Sequence, residues 1–412
     1  MLNRRDVLRL IPASSLTWLG DSEFAQAAPR VPSAALPLLA GPPVVQHLGT
    51  EGFAVSFALG QLATGWVEWG LSPDRLDQRA IASRAGLVQA SDSAMVVPVL
   101  LGDSGTPGRR IYYRVVAQAL SYETAYKLHR GEPIGGSTYG LTLPDPAAAR
   151  VRVAVINDTH EQLQTLKALA SRIGAVQPQV LVWNGDTCAA AFNTSADVPR
   201  VLLKQGWATT RQLIFVPGNH DVRGAHARDI RDCLAAGPEA SLPYNVARRY
   251  GPLALLTLDT GEDKPDGHPV FAGTAAYEPH RTRQAAWLRE ALVRPEIASA
   301  PFKVVFCHIP LHGLPGQNDG LSLNGYAEWS GDGARKWLPA LGEAGVRLVV
   351  SGHKHAWRVD DPVNGRPMQV VGGGSSRQDA TLIVLEADSR SFRVVIQDLS
   401  GKELVQQRMR LA

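Results

Sequence analysis

Gly218-Asn219-His220-Asp221 follows the apolar run Leu213-Ile214-Phe215-Val216, which reads as a buried strand ending in Pro217-Gly218. An amide, an imidazole and a carboxylate in a row serve a core poorly. They suit a metal or phosphate site, where polar groups converge on one ligand. Four other apolar runs end in the same way: in Asn157-Asp158-Thr159-His160, Asn184-Gly185-Asp186, Cys307-His308 and Gly352-His353-Lys354-His355. In an open α/β sheet such ends lie along one edge, where ligands bind. Each residue alone has a plainer reading. Asp158 or Asp186 could cap a helix, His308 could be a core histidine, and His353 and His355 could sit in a solvated loop. Those plain readings would have to hold at every position independently.

The elements around these residues alternate. After Arg150 come an apolar strand (151–156) and a helix (161–176) with Leu163, Leu166, Ala170 and Ile173 on one stripe. Strands at 180–183, 212–216, 303–307 and 346–350 follow. Helices are expected at 281–293, with Trp287, Leu288, Ala291 and Leu292 inward, and at 334–342. The tail from Met368 to Leu411 is strand-like, with a turn at Asp388-Ser389-Arg390. Apolar strands alternating with helices imply layered α/β architecture. Residues 41–143 differ: Phe53, Val55, Phe57 and Leu59 alternate with small residues, and short strands recur near 64–69, 94–101 and 111–118. They predict an antiparallel β-sandwich, preceded by an extended lead-in (28–40) and followed by a Pro-containing linker (144–149). Trp66 and Trp69 are read as sandwich core rather than a carbohydrate platform.

With 412 residues, two domains are expected. A net charge of +4, with Lys and Arg scattered, gives no argument for nucleic acid or membrane binding. Cys188, Cys233 and Cys307 show no C-x-x-C spacing and read as buried thiols. At the start, Arg4-Arg5-Asp6-Val7-Leu8-Arg9 and the apolar stretch to Leu19 read as a twin-arginine signal peptide (1–27), cut after Ala27. The stretch is too short for a stable membrane anchor, so a periplasmic or secreted protein is expected.

The order D-x-H, G-D, G-N-H-D, H, G-H-x-H resembles that of the calcineurin-like metallophosphoesterase superfamily, over residues 150 to about 375. The Tyr112-Tyr113-Arg114-Val115 region resembles a fibronectin type III module, as found before the catalytic domain of purple acid phosphatases. The resemblance implies a four-layer α/β/β/α catalytic domain over 150–412, preceded by the sandwich over 41–143. It implies two divalent metal ions. Asp158, His160, Asp186 and His355 would hold the first, and Asp186, Asn219, His308 and His353 the second, with Asp186 as bridge. A water between the ions would be the nucleophile, His220 would contact the phosphate and protonate the leaving alkoxide, and Asp221 would hydrogen-bond to His220 and set its tautomer. The purple subclass carries a tyrosinate three residues after the bridging aspartate. Here that position is Ala189, and His160 stands where that subclass has glycine. The change disfavours a fixed ferric ion and suits Mn, Fe(II), Zn or Co.

The implied activity is hydrolysis of a small phosphate ester. A monoester is the first expectation. A diesterase of cyclic nucleotide or glycerophosphodiester type is the alternative, and a non-catalytic binding protein on the same scaffold is the alternative of another class. Among the remaining residues, His312 either lines the substrate pocket or is a loop histidine. Arg223 either meets a substrate anion or lies on the surface. Gly372-Gly373-Gly374-Ser375-Ser376 reads as a tight return near the site. Cys188 and Cys307 flank candidate ligands but read as small hydrophobes. Substrate selectivity is expected from the loops at 263–280 and 313–329.

Overall fold

The computed structural model describes residues 37–235, 237, 241–314, 317 and 327–411. The expected signal peptide, the lead-in as far as residue 36 and most of the 313–329 loop lie outside them.

Two sheets stack face to face. The larger has nine strands in the order Glu403–Arg410, Ser391–Asp398, Thr381–Asp388, Arg150–Ile156, Val180–Asn184, Gln212–Val216, Val44–Gln46, Gly52–Ala58 and Ala94–Leu100. The second has six, in the order Ala247–Tyr250, Leu253–Thr257, Phe302–Phe306, Leu348–Ser351, Met368–Val371 and Arg358–Asp360. Val153, Val155, Val182 and Val216 of the first meet Leu255, Val304, Phe306 and Val350 of the second in a dry core. Strands covered on both faces need apolar residues on both, so these runs are continuously hydrophobic.

Helices cover the outer faces. Leu163–Val176 lies on the larger sheet, and Tyr277–Leu292 and Gly331–Glu343 lie on the smaller. The result is the expected α/β/β/α layering. Trp287, Leu288, Ala291 and Leu292 are all buried as expected. The first helix departs from expectation: Leu163 is 60% exposed, and Leu166, Leu169 and Ile173 face the sheet. The helix begins at Leu163, so its buried stripe starts one turn later.

The N-terminal strands are not set apart from this sheet. Val44–Gln46 pairs in parallel with Gln212–Val216, Val45 standing opposite Gln212. A separate sheet, Lys127–Gly135, Arg110–Thr124, Ala63–Gly70 and Gln78–Ile81, closes over that end. Phe53, Val55, Phe57, Met95, Val97, Ile111 and Tyr113 fill the space between. Trp69 joins this core. Trp66 faces the other way and lies under the Arg79 guanidinium, 3.7 Å from the ring centroid. Lys127–Gly135 escapes detection in the sequence because it is exposed along its whole length and carries no alternation. Residues 143–149 hold no helix or strand. All three cysteines are free and buried.

Candidate metal centre

The strands Arg150–Ile156, Val180–Asn184 and Gln212–Val216 run parallel, as do Phe302–Phe306 and Leu348–Ser351 of the facing sheet. Parallel strands end on the same edge, so five polar blocks arrive together. The chain must turn sharply there. Asp158 (φ +49°), His160 (+42°), Asp186 (+51°), His353 (+73°) and His355 (+53°) all adopt the left-handed conformation. It costs a non-glycine residue about 1 kcal/mol each. Strain gathered on five chemically active side chains marks a site that the surrounding fold holds in place. Gly185 (φ +86°) and Gly218 make the approach possible: a methyl at the first would overlap the His308 ring, and at the second the Asp186 carboxylate.

Two groups of ligand atoms result. Asp158, His160, Asp186 and His355 form one, and Asp186, His308 and His353 the other; within each group the atoms lie within 4.8 Å of one another. Asp186 belongs to both. Its Oδ2 lies 3.2 Å from His308 Nε2, 3.7 Å from His160 Nε2 and 4.0 Å from His220 Nε2. Its Oδ1 is anchored by the His220 amide at 2.9 Å. Asp158 Oδ1 faces His355 Nε2 at 3.3 Å, and the His353 amide donates to the same carboxylate at 2.8 Å. Asn219 Oδ1 lies 2.9 Å from His353 Nδ1, which brings the seventh candidate ligand to the second group.

Hydrogen bonding fixes which nitrogen points inward. His160 Nδ1–H donates to the Cys188 carbonyl at 3.0 Å, and His308 Nδ1–H to that of Asn184 at 2.8 Å. Their Nε2 atoms therefore face the carboxylates. Outer carbonyls of this kind orient metal-binding histidines. His353 carries the clearest sign. Both its nitrogens meet oxygen acceptors, Ala327 O at 2.9 Å and Asn219 Oδ1. Burial and the neighbouring His308 charge lower its pKa to about 4, so near neutrality it has one N–H for two acceptors. A cation held by His353 and Asn219 would resolve the conflict. His308 Nε2 is buried without a well-aligned hydrogen bond. Despite burial, Asp186 and Asp158 raise the His308 pKa to about 10, as two carboxylates beside one imidazole must. Burial opposes the charge on Asp186, yet His308, His220 and His160 hold its carboxyl well below the usual range. The donor set is nitrogen and oxygen throughout and fits divalent ions. Burial pushes the Cys188 and Cys307 thiols up, the latter to about 12, and neither belongs to either group.

The plainer reading of Asp158 falls away: it caps no helix, since the following one starts at Leu163 and has Gln162 as its N-cap residue. Other sequence expectations change. Asp221 does not bond to the His220 ring. Its buried carboxylate accepts from Thr187 N (3.0 Å), Thr187 Oγ1 (2.6 Å), Cys188 N (3.4 Å) and Gly218 N (2.9 Å). Asp221 thus ties the Asp186 turn to the Asn219 turn. Asp221→Ala should destabilise the protein by about 2–4 kcal/mol, because it strands buried donors. Denaturant unfolding at fixed metal concentration measures this, and a change below about 0.5 kcal/mol would contradict the assignment.

Arg223 is neither free for an anion nor simply on the surface. Its guanidinium pairs with Glu262 (2.5 Å) and Asp263 (3.4 Å). His312 is buried, its backbone held by Gln369 and Arg358, and it belongs to neither ligand group. The Gly372–Gly374 stretch is a close return: the Asn157 amide donates to Gly372 O and, at 2.7 Å, to Asp158.

Sequence reasoning missed what orients His220. Its Nδ1 lies 3.1 Å from the Ala189 carbonyl, and the amide of the same residue donates to Glu161 Oε2 at 3.0 Å. Glu161, itself at φ +56°, pairs with Arg200 through its other oxygen. The signal was its place directly after the D-x-H block.

Residues 151–357 match the model of the calcineurin-like phosphoesterase family. No curated protein matches the chain. Among solved structures, purple acid phosphatase PPD1 from yellow lupin (Lupinus luteus) seeds superposes with a TM-score of 0.66 at 12% identity, covering 90% of this chain and 74% of that one. PhoD superposes with a TM-score of 0.56 at 11% identity, covering 93% of this chain and 90% of that one. At such identities the likeness shows a shared fold across both β-rich and α/β regions. The family match spans half the chain and includes all five polar blocks, so the chain belongs to the calcineurin-like phosphoesterase family and is a metal-dependent phosphoric ester hydrolase.

Proposed function

We propose that the chain is a dinuclear phosphomonoesterase, exported through its twin-arginine segment, with residues 41–143 as a fibronectin III-like module. The observation that carries the dinuclear reading is Asp186, shared by both ligand groups. Asp158, His160, Asp186 and His355 would hold one divalent ion, and Asp186, Asn219, His308 and His353 the other. When bound, such a pair supplies Lewis acidity at the phosphoryl oxygens and lowers the pKa of water.

The chain's own groups do the rest. His220 stands at the rim, with its Nε2 turned toward Asp186 and its Nδ1 toward the Ala189 carbonyl. In this reading it hands a proton to the departing alkoxide. Asp221 keeps the two turns in register, and Glu161 steadies the Ala189 peptide against which His220 rests. Monoester preference draws on the likeness to a purple acid phosphatase, which extends over both parts of the chain. Among the described residues no helix is long and apolar enough to cross a membrane.

A metal-reconstituted panel tests the reading. Aryl phosphate should be hydrolysed faster than bis-aryl phosphate, cyclic nucleotides or glycerophosphodiesters. Faster turnover of any diester would replace the monoesterase reading. No hydrolysis with Mn, Fe(II), Zn or Co would favour a binding protein.

A further inference from the structure

The arginines that are scattered along the chain are gathered by the larger sheet. In its outer four strands Arg152 stands opposite Glu386, Glu386 opposite Arg393, and Arg393 opposite Arg408. In the next row Arg150 stands opposite Asp388, and Ser391 opposite Arg410. Residues two apart in a strand share a face. Val151, Val153, Ala387, Phe392 and Val394, which alternate with these residues, belong to the core between the sheets. The arginines therefore occupy the outer face. Helix Leu163–Val176 stops beside them, where Arg152 Nη1 donates to Val176 O at 2.7 Å.

The acids among them are already engaged. Glu386 accepts from Arg152 (2.7 Å) and Arg393 (3.1 Å), and Asp388 accepts from the amides and hydroxyl of its own turn while also lying in the field of Arg150 opposite it. Arg393, paired with Glu386 and with Glu403 (2.6 Å), stands directly opposite Arg408. The guanidiniums of Arg150, Arg408 and Arg410 have no hydrogen bond or ion pair among the described residues. A recess of about 440 Å³ opens among Arg150, Arg152, Arg393 and Arg408, with the carboxylates of Glu386 and Asp388 also in its wall.

We propose that this face docks on an anionic phospholipid surface, with headgroup phosphates seated among Arg150, Arg408 and Arg410. Three strand spacings separate the backbones of Arg150 and Arg408, about 14 Å, so the basic groups are spread across the outer four strands rather than gathered at one point. An array of phosphates on a plane matches an array of guanidiniums on a sheet. The rows contain no aromatic side chain on which bases could stack, and a sheet face offers no helix or ribbon to enter a groove. The rows lie at the start of the Arg150–Ile156 strand, and the candidate metal centre lies beyond its other end. Docking leaves the centre open.

Co-sedimentation of the metal-loaded protein with vesicles tests the proposal. Vesicles of phosphatidylcholine with one-third phosphatidylglycerol should bind it, pure phosphatidylcholine should not, and 0.5 M NaCl should release it. Each arginine near such a surface contributes about a fivefold gain in affinity, so Arg408→Glu with Arg410→Glu should weaken binding at least ~25-fold. Hydrolysis of a soluble aryl phosphate should stay unchanged, which also shows that the variant is folded. Equal binding to both vesicle types, or undiminished binding by the double variant, would overturn the proposal. So would release by millimolar inorganic phosphate at constant ionic strength, which would mark a small-anion site. Arginine-dependent binding of an RNA oligonucleotide without vesicle binding would overturn it in favour of nucleic acid.

Discussion

Asp186→Asn is expected to empty both metal positions and to lower phosphoester hydrolysis by ~10³-fold or more. The substitution is nearly isosteric. It keeps an oxygen for the His220 amide, now 2.9 Å from Asp186 Oδ1, so the turn can persist. It removes the one carboxylate charge that both ligand groups share. Three imidazoles have Nε2 within 4.0 Å of Asp186 Oδ2, and no other carboxylate approaches His220 or His308 more closely. Asp158→Asn is the control, because Asp158 belongs to one group only and should cost mainly that ion. Elemental analysis of the purified variants, with circular dichroism to confirm folding, separates the outcomes. Two equivalents of metal retained by Asp186→Asn would remove it as the bridge. Loss of both ions from Asp158→Asn as well would mean that the positions are filled cooperatively, and the control would then be the occupancy at rising metal concentration.

The edge that carries this chemistry was legible because the chain writes it plainly: a continuous apolar strand, then Asp, Asn or His. That pattern identifies where a residue lies but not what it touches. Leu253–Leu258 followed by Asp259-Thr260-Gly261-Glu262-Asp263 has the same form and passed unread, yet it is a buried strand of the second sheet. Its acids do not join the ligand groups; Glu262 and Asp263 neutralise Arg223, which had looked available for an anion. The partner of His220 was misread for a similar reason. Sequence adjacency favours Asp221, but the turn directs its carboxylate back toward Thr187 and Gly218. The residue that reaches the Ala189 peptide instead comes from the first block, after Asp158 and His160.

Long-range pairing was the other illegible part. Val44–Gln46 is three residues long, too short to show any periodicity, and its parallel partner Gln212–Val216 is remote in sequence. Nothing local announces that the N-terminal strands extend the catalytic sheet. The arginine rows have the same cause. Arg152, Arg393 and Arg408 come from three segments, and only the strand register aligns them.

His220→Ala is expected to lower turnover of alkyl phosphates by ~10²–10³-fold while leaving metal content unchanged, since its ring is in neither ligand group. The loss should depend on the leaving group. An alkoxide must be protonated as it departs, whereas 4-nitrophenolate is stable enough to leave unaided. The variant should therefore lose less than ~10-fold on 4-nitrophenyl phosphate. Glu161→Ala sharpens the test. It removes the acceptor of the Ala189 amide, whose carbonyl orients His220, without touching the ring itself. It should reproduce the leaving-group dependence in weaker form, and Glu161→Gln, which keeps an acceptor oxygen, should restore most of the rate. If His220→Ala slows alkyl and aryl substrates equally at full metal occupancy, His220 binds phosphate rather than donating a proton. If His220→Ala shows the dependence and Glu161→Ala does not, the Ala189 turn holds its shape without Glu161, and the proton donor is oriented by the fold of the Asn219 turn alone.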